Sequence, residues 1–326
     1  MHVLIIGAAG MVGRKLTERL VRDGRLGATP ITAMTLTDVI VPDRPEAPFP
    51  IVALQGDLSV PGEAERLIAA RPGAIFHLAA IVSGEAEADF EKGYRINLDG
   101  TRFLFDAIRL VGGGYKPRMV FTSSIAVFGA PFPEAIGDEF FTTPLTSYGT
   151  QKAMGELLLA DYSRRGFFDG VGIRLPTICV RPGKPNKAAS GFFSNIIREP
   201  LAGHEAVLPV DEDVRHWHAS PRSAVGFLIH AATMDTAPLG ARRNLTMPGL
   251  SVTVGEQIEA LRRVAGDGVV ARIRREPDQT IRGIVAGWPR NFDASRAESF
   301  GFTAEKTFDE IIRVHIDDEL GGSWVK

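Results

Sequence analysis

Over the first 175 residues, short apolar runs bounded by turn-forming residues alternate with stretches whose apolar positions recur every three or four residues. The runs His2–Ile6, Ala33–Leu36, Ile51–Leu54, Ala74–His77, Met119–Thr122 and Val171–Leu175 read as strands. Between them, the helical period falls on Met11–Arg22, on Pro61–Ala70 (opened by Ser59), within Tyr94–Leu110, and on Ser147–Arg164. Strands alternating with helices predict an α/β fold, a Rossmann-type doubly wound parallel sheet. Right-handed crossovers then put a ligand at the carboxyl ends of the strands.

After Leu175 the texture changes. Pro176, Pro182, Pro185, Pro200 and Pro209 punctuate a loop-rich stretch that also carries short helices. Residues 1–175 therefore read as one domain and 176–326 as mainly a second, smaller one. Residues 243–247 could return to the sheet as one more strand, and Thr253–Ala265 and Lys306–Glu319 look like surface helices. The run Gly112-Gly113-Gly114 reads as a helix stop ahead of a strand.

Composition narrows the partners. The 37 basic and 39 acidic residues nearly cancel, so there is no electrostatic footprint for nucleic acid. The apolar opening Val3–Ile6 is cut short by Gly7 and Gly10, too brief for a signal core, and no other segment approaches membrane length. The single cysteine, Cys179, cannot form an internal disulfide, which fits a reducing compartment. The expectation is a cytoplasmic protein with neither a membrane nor a nucleic-acid partner.

Gly7, Gly10 and Gly13 stand directly between the first strand and the first helix. Glycine there permits a tight turn, close approach of backbone to a pyrophosphate, and close helix–strand contact. The phosphates would sit on the helix N-terminus, at Met11 and Val12, where unpaired amides favour anions. Asp38 ends the second strand and can accept both hydroxyl bonds of an adenosine ribose while repelling a 2′-phosphate, which favours NAD over NADP.

Tyr148 and Lys152 are four residues apart on a predicted helix, so their side chains share a face. An ammonium about 4 Å from a phenol is worth about 4 kcal/mol at an effective dielectric near 20. That pulls the phenol from about 10 towards neutrality, where it can take the proton of an alcohol.

Together with Gly56-Asp57-Leu58, His77-Leu78-Ala79-Ala80, Asn97 and Ser123-Ser124-Ile125-Ala126-Val127-Phe128-Gly129, these residues resemble the extended short-chain dehydrogenase/reductase family, the NAD-dependent epimerase/dehydratase-like group. The resemblance covers most of the first 230 residues. It implies that Tyr148 is the acid/base, that Lys152 lowers its pKa and bonds the nicotinamide ribose, and that Ser124 holds the substrate hydroxyl, with Ser123 a lesser substitute. It also puts Asp57 and Leu58 beside adenine, Ala79 and Ala80 under the dinucleotide, Asn97 at the cofactor, and Pro176 beside the nicotinamide. Ser83, Thr177 and Phe192 would lie on loops facing nicotinamide or substrate.

Two departures from the family pattern narrow the chemistry. Ile125 and Ala126 replace the Asp-Glu pair that dehydratases use for elimination. The run Arg215-His216-Trp217-His218 lacks the aspartate of the stretch found in nucleotide-sugar members. The strings from Ile5 to Leu16 and from Trp217 to Gly226 are similar to family members that oxidise the C2 hydroxyl of a four-carbon sugar acid. The expectation is an NAD-dependent oxidoreductase acting on a secondary hydroxyl of a small sugar acid. Alternatives are a nucleotide-sugar epimerase or reductase, or a non-catalytic dinucleotide sensor. Arg215 is the candidate for the substrate carboxylate; Arg174 competes, but its family position implies a structural ion pair. His216 and His218 share one face of an extended segment, yet no third ligand has a recognisable spacing, so no metal is expected. Apolar positions along Leu98–Leu110 and Met154–Leu159 could form a homodimer seam, as in family members, or simply pack on the sheet.

Overall fold

A computed structural model describes residues 1–183 and 189–325. Pro185, expected to interrupt the loop-rich stretch, lies outside the described residues. Six strands, His2–Ile6 (β1), Ala33–Asp38 (β2), Ile51–Gln55 (β3), Ala74–His77 (β4), Arg118–Ser124 (β5) and Asp169–Leu175 (β6), pair in parallel. Asn244–Thr246 (β7) joins beside β6, giving the order β7-β6-β5-β4-β1-β2-β3. The chain steps outward from β1 to β3 and then returns to the other side of β1. The crevice of such a sheet therefore opens where the loops after β1 and β4 diverge.

Val3, Leu4 and Ile5 are fully buried, as a parallel strand covered on both faces requires. Helix α1 (Met11–Asp23) turns Gly13, Leu16, Thr17 and Leu20 inward and is stopped by Gly24 in the left-handed region at φ 63°. Helix α2 (Glu63–Ile68) is shorter than the pattern predicts, and Ser59 does not open it. The amide and hydroxyl of Ser59 both bond Asp57, and Gly62 takes the cap position instead. A wide, π-type turn over Tyr94–Asp99 runs directly into α3 (Gly100–Val111), which Gly112 terminates at φ 61°. Helix α4 (Ser147–Arg164) opens on a Thr146 side chain that accepts the Gly149 amide.

The chain divides into two compact units. The first comprises Met1–Val127, Thr142–Leu175 and Val225–Leu245; the second comprises Phe128–Phe141, Pro176–Ala224 and Thr246–Lys326. In the second, Arg215–Ala219 pairs in parallel with Thr177–Ile178 and antiparallel with Leu250–Thr253. Its core draws apolar residues from α5 (Gly191–Leu201), from α7 (Val254–Ala265), which follows α6 (Pro221–Thr233), and from α8 (Phe308–Glu319). Among the described residues, no helix is long and apolar enough to cross a membrane.

Candidate active site

The three glycines of the first turn do different work. A Cβ on Gly7 (φ 91°) would stand 2.6 Å from the Ala79 amide nitrogen, and one on Gly13 would stand 2.2 Å from the Gly7 carbonyl oxygen. Both positions are closed by backbone, so only glycine fits. A Cβ on Gly10 would meet only the Gly7 oxygen, at 3.4 Å, and would otherwise occupy open space. Helix α1 begins behind it with no side-chain cap and no acidic residue in its first turn. An open cradle at an uncapped helix N-terminus, formed by Gly10, Met11 and Val12, suits a pyrophosphate. Asp38 is held against the same turn: Oδ2 accepts the Ala9 amide at 3.0 Å and Oδ1 accepts the Val39 amide at 2.7 Å. This donor and acceptor set fits a dinucleotide with an unphosphorylated adenosine ribose.

Asp57 follows the end of β3. Burial alone would raise its pKa, but the hydroxyl and amide of Ser59 and the Arg95 guanidinium hold it below the usual carboxylate range. Leu58 is buried in the core and packs against Gly100. Leu78 and Ala79 both donate to the Ile6 carbonyl, so the exit of β4 is tied to β1 beneath the glycine turn. Ala80 follows, half-buried. Asn97, expected at the cofactor, spends both amide hydrogens inside the protein, on the Ile81 carbonyl (3.1 Å) and Gln151 Oε1 (2.8 Å), while its Oδ1 accepts the Ile81 amide (2.9 Å). It fixes the loop leading from Ala80 to Ser83. Ser83 was expected on a loop and instead begins the short helix Ser83–Ala88.

Ser124, at the end of β5, accepts the Ala126 amide on its Oγ at 3.1 Å, which leaves its hydrogen for a ligand. The Ala126 carbonyl lies where a Cβ of Gly149 would be, 2.1 Å away, and a Cβ on Gly155 would strike the Phe121 ring at 2.7 Å. The first half of α4 therefore lies closer to β5 than any side chain at either position allows. Between these contacts, Lys152 Nζ donates to the Thr122 carbonyl at 2.8 Å, and it stands 5.8 Å from the centre of the Tyr148 ring. Gly149, next to Tyr148, and Ser124 are thus both held at the Ala126 peptide, and two of the three ammonium hydrogens of Lys152 remain for a ligand or the phenol. Burial lowers the Lys152 pKa to about 8, against the opposing pull of Glu156.

Ser123 faces the interior and donates to Glu156 Oε1 at 2.5 Å. Arg174 closes on the same carboxylate through Nε and Nη2, at 2.9 and 2.8 Å, as a buried pair. Arg174 is accordingly structural.

In the second unit, Pro176 is buried and Thr177 sits in a two-residue strand. Phe192 corrects an expectation: it is no loop residue but lies in the first turn of α5. It is 5% exposed and packed on Phe193 with ring centres 4.1 Å apart, because this apolar pair supplies core. Arg215 donates to the Ser251 carbonyl at 2.7 Å and pairs with Glu256 at 3.2 Å. Both ring nitrogens of His216 are committed, to Thr177 and to the Pro289 carbonyl. The roles of Gly149, Gln151, Gly155 and His216 were missed in the sequence, since each depends on a partner distant along the chain.

The chain matches the model of the NAD dependent epimerase/dehydratase family over residues 3–221, and it belongs to that family. It is 47% identical over 323 residues to a D-erythronate dehydrogenase from Cupriavidus necator, covering 98% of each chain. It is 42% identical to one from Haemophilus influenzae, covering 98% of this chain and 100% of the relative. A crystal structure described as a nucleoside-diphosphate-sugar epimerase from Agrobacterium tumefaciens superposes with a TM-score of 0.98 at 71% identity, covering 99% of this chain and 95% of that one.

Proposed function

We propose that this chain is an NAD⁺-dependent dehydrogenase that oxidises the C2 hydroxyl of D-erythronate to 2-dehydro-D-erythronate. The supporting observation is the junction of β5 and α4, where Ser124 accepts the Ala126 amide, Gly149 beside Tyr148 abuts the Ala126 carbonyl and Lys152 donates to the Thr122 carbonyl, in a chain nearly half identical to two D-erythronate dehydrogenases over nearly its full length. The glycine turn would hold the pyrophosphate of NAD⁺, Asp38 its adenosine ribose, and Lys152 its nicotinamide ribose. When bound, NAD⁺ supplies the hydride acceptor. Ser124 donates to the substrate oxygen and orients it, and the Tyr148 phenolate takes the hydroxyl proton. The Lys152 ammonium, itself buried, stabilises that phenolate. Ile125 and Ala126 offer no second acid or base, so chemistry at this turn stops at oxidation. Such an enzyme draws on the cytoplasmic dinucleotide pool, and α3 with α4 supplies the seam for a homodimer.

The 71% identical structure favours a second reading, epimerisation of a sugar nucleotide. The two separate in one assay. With NAD⁺ and D-erythronate, absorbance at 340 nm should rise, and Tyr148→Phe should lower kcat roughly 10²–10⁴-fold. No signal with any four- to six-carbon sugar acid, alongside epimerisation of a uridine diphosphate sugar, would reverse the assignment.

A further inference from the structure

Three turns at carboxyl ends of strands stand side by side on the sheet of the first unit. The Gly7 amide bonds the Thr37 carbonyl at 2.8 Å, the Ala9 amide bonds Asp38 Oδ2 at 3.0 Å, and the Gly56 amide bonds the Asp38 carbonyl at 2.8 Å. The glycine turn after β1, Asp38 at the end of β2 and Asp57 after β3 are thereby tied into one rim, with neighbouring strands about 4.8 Å apart. A dinucleotide with its pyrophosphate on Gly10 and its adenosine ribose on Asp38 would continue outward along that rim and bring its base to Asp57.

Asp57 has one oxygen spent and one in reserve. Its Oδ1 accepts both the Ser59 amide (2.8 Å) and the Ser59 hydroxyl (2.6 Å), which uses its lone pairs. Its Oδ2 has only the Arg95 guanidinium, 3.5 Å away, and the side chain keeps 31% of its surface exposed. Arg95 Nη1 also donates to Ser59 Oγ, so guanidinium, hydroxyl and carboxylate close a ring. The turn beneath them is seated firmly. The Val60 amide bonds the Asp57 carbonyl at 2.9 Å, and a Cβ on Gly100 would stand 3.2 Å from Leu58 Cβ and 3.4 Å from the Ser59 nitrogen, so α3 begins directly against it. Arg95 reaches over from the wide turn that commits Asn97, two residues on, to the interior. Because Ser59 and Arg95 outweigh burial in setting its pKa, Asp57 is a carboxylate at neutral pH and can only accept.

We propose that Arg95 and Ser59 are positioning residues for the cofactor: they fix the Asp57 carboxylate with Oδ2 as its remaining acceptor, which admits a purine carrying a 6-amino group and turns away one carrying a 6-oxo group. This rests on the dinucleotide reading above, with Asp57 beside adenine. Adenine brings two hydrogens at position 6, and Oδ2 takes one. Hypoxanthine brings an oxygen there, and lone pair would meet lone pair. An ion pair as exposed as that of Arg95 and Asp57 adds little to stability, so a purely structural Arg95 would leave no trace on the choice of base.

The test is isothermal titration calorimetry with NAD⁺ and with nicotinamide hypoxanthine dinucleotide, its 6-oxo counterpart. The two ligands share every group outside the purine, so the ratio of their Kd values cancels any general loss of folded or active protein. Wild type should bind NAD⁺ roughly tenfold more tightly, the range of one charge-assisted hydrogen bond. Asp57→Asn, whose amide can turn its hydrogens to a 6-oxo group, should bring the ratio near one. Arg95→Met keeps the length of the side chain and drops the guanidinium, and it should shrink the ratio roughly two- to fivefold, the range of one neutral hydrogen bond. Ser59→Ala should do the same. Arg95→Lys, still a cation and a donor beside Asp57, should keep most of the preference. A ratio near one in wild type, or a wild-type ratio in Asp57→Asn, overturns the base contact. A wild-type ratio in Arg95→Met or in Ser59→Ala removes that residue from the positioning role. Wild type that binds neither dinucleotide would reject the parent reading, an outcome distinct from binding both alike.

Discussion

Lys152 keeps an ammonium where almost no water reaches it, 3% exposed, 4.9 Å from the Phe121 ring and anchored on one carbonyl. Burial lowers its pKa to about 8. The charge is therefore present below about pH 8 and fades above it. Lys152→Met should move the ascending limb of the kcat/KM–pH profile upward by on the order of one to two units, and an unmoved limb would show that the ammonium does not tune the phenol. The same burial has a stability signature. The unfolded lysine titrates near 10.5 and the folded one near 8, so between these values the unfolded chain binds more protons. The contribution of Lys152 to stability accordingly improves as pH climbs through that window. Denaturant titrations at pH 7.5 and 10 should show a larger gain for the wild type than for Lys152→Met.

At the scale of elements, the seating of α4 on β5 decides where the reactive groups stand. Gly149→Ala would drive a methyl into the Ala126 carbonyl, a backbone atom that cannot swing away. It should cost about 1–3 kcal/mol, as overpacking does, and lower kcat at least tenfold while leaving NAD⁺ affinity closer to wild type. Chemical denaturation and steady-state kinetics would show both. The strands and the glycine turn were legible in the sequence because short-range rules govern them: alternating apolar runs, turn residues, a helix opening on glycines. The Tyr148 and Lys152 pair was legible because helical spacing alone aligns it. Less legible was whatever a distant segment decides. The Asn97 amide is spent on Ile81 and Gln151, Phe192 is drawn into a core, and Arg215 is paired with Glu256. The local sequence around Gly149 says helix and does not reveal the carbonyl 23 residues earlier that demands a glycine.

At the scale of the whole molecule, a dinucleotide should stabilise the fold by mass action. At a hundredfold excess over Kd the gain is about 2.7 kcal/mol, a shift of several degrees in Tm. NAD⁺ should produce it and NADP⁺ much less, because Asp38 opposes a 2′-phosphate; equal shifts would remove Asp38 from that role. The interleaving of the two units has a practical consequence for anyone dissecting this chain. Asp169, at the start of β6, is held by Thr236 (2.7 Å) and Arg243 (2.9 Å), and the Gly172 amide bonds the Arg243 carbonyl (2.9 Å). Scissors applied once, after Leu175, would carry off those partners together with β7 and leave β6 a naked edge ready to pair with a neighbour. A 1–175 fragment should therefore run as aggregate on size exclusion, and a minimal cofactor-binding piece will have to be stitched together from separated stretches of the chain.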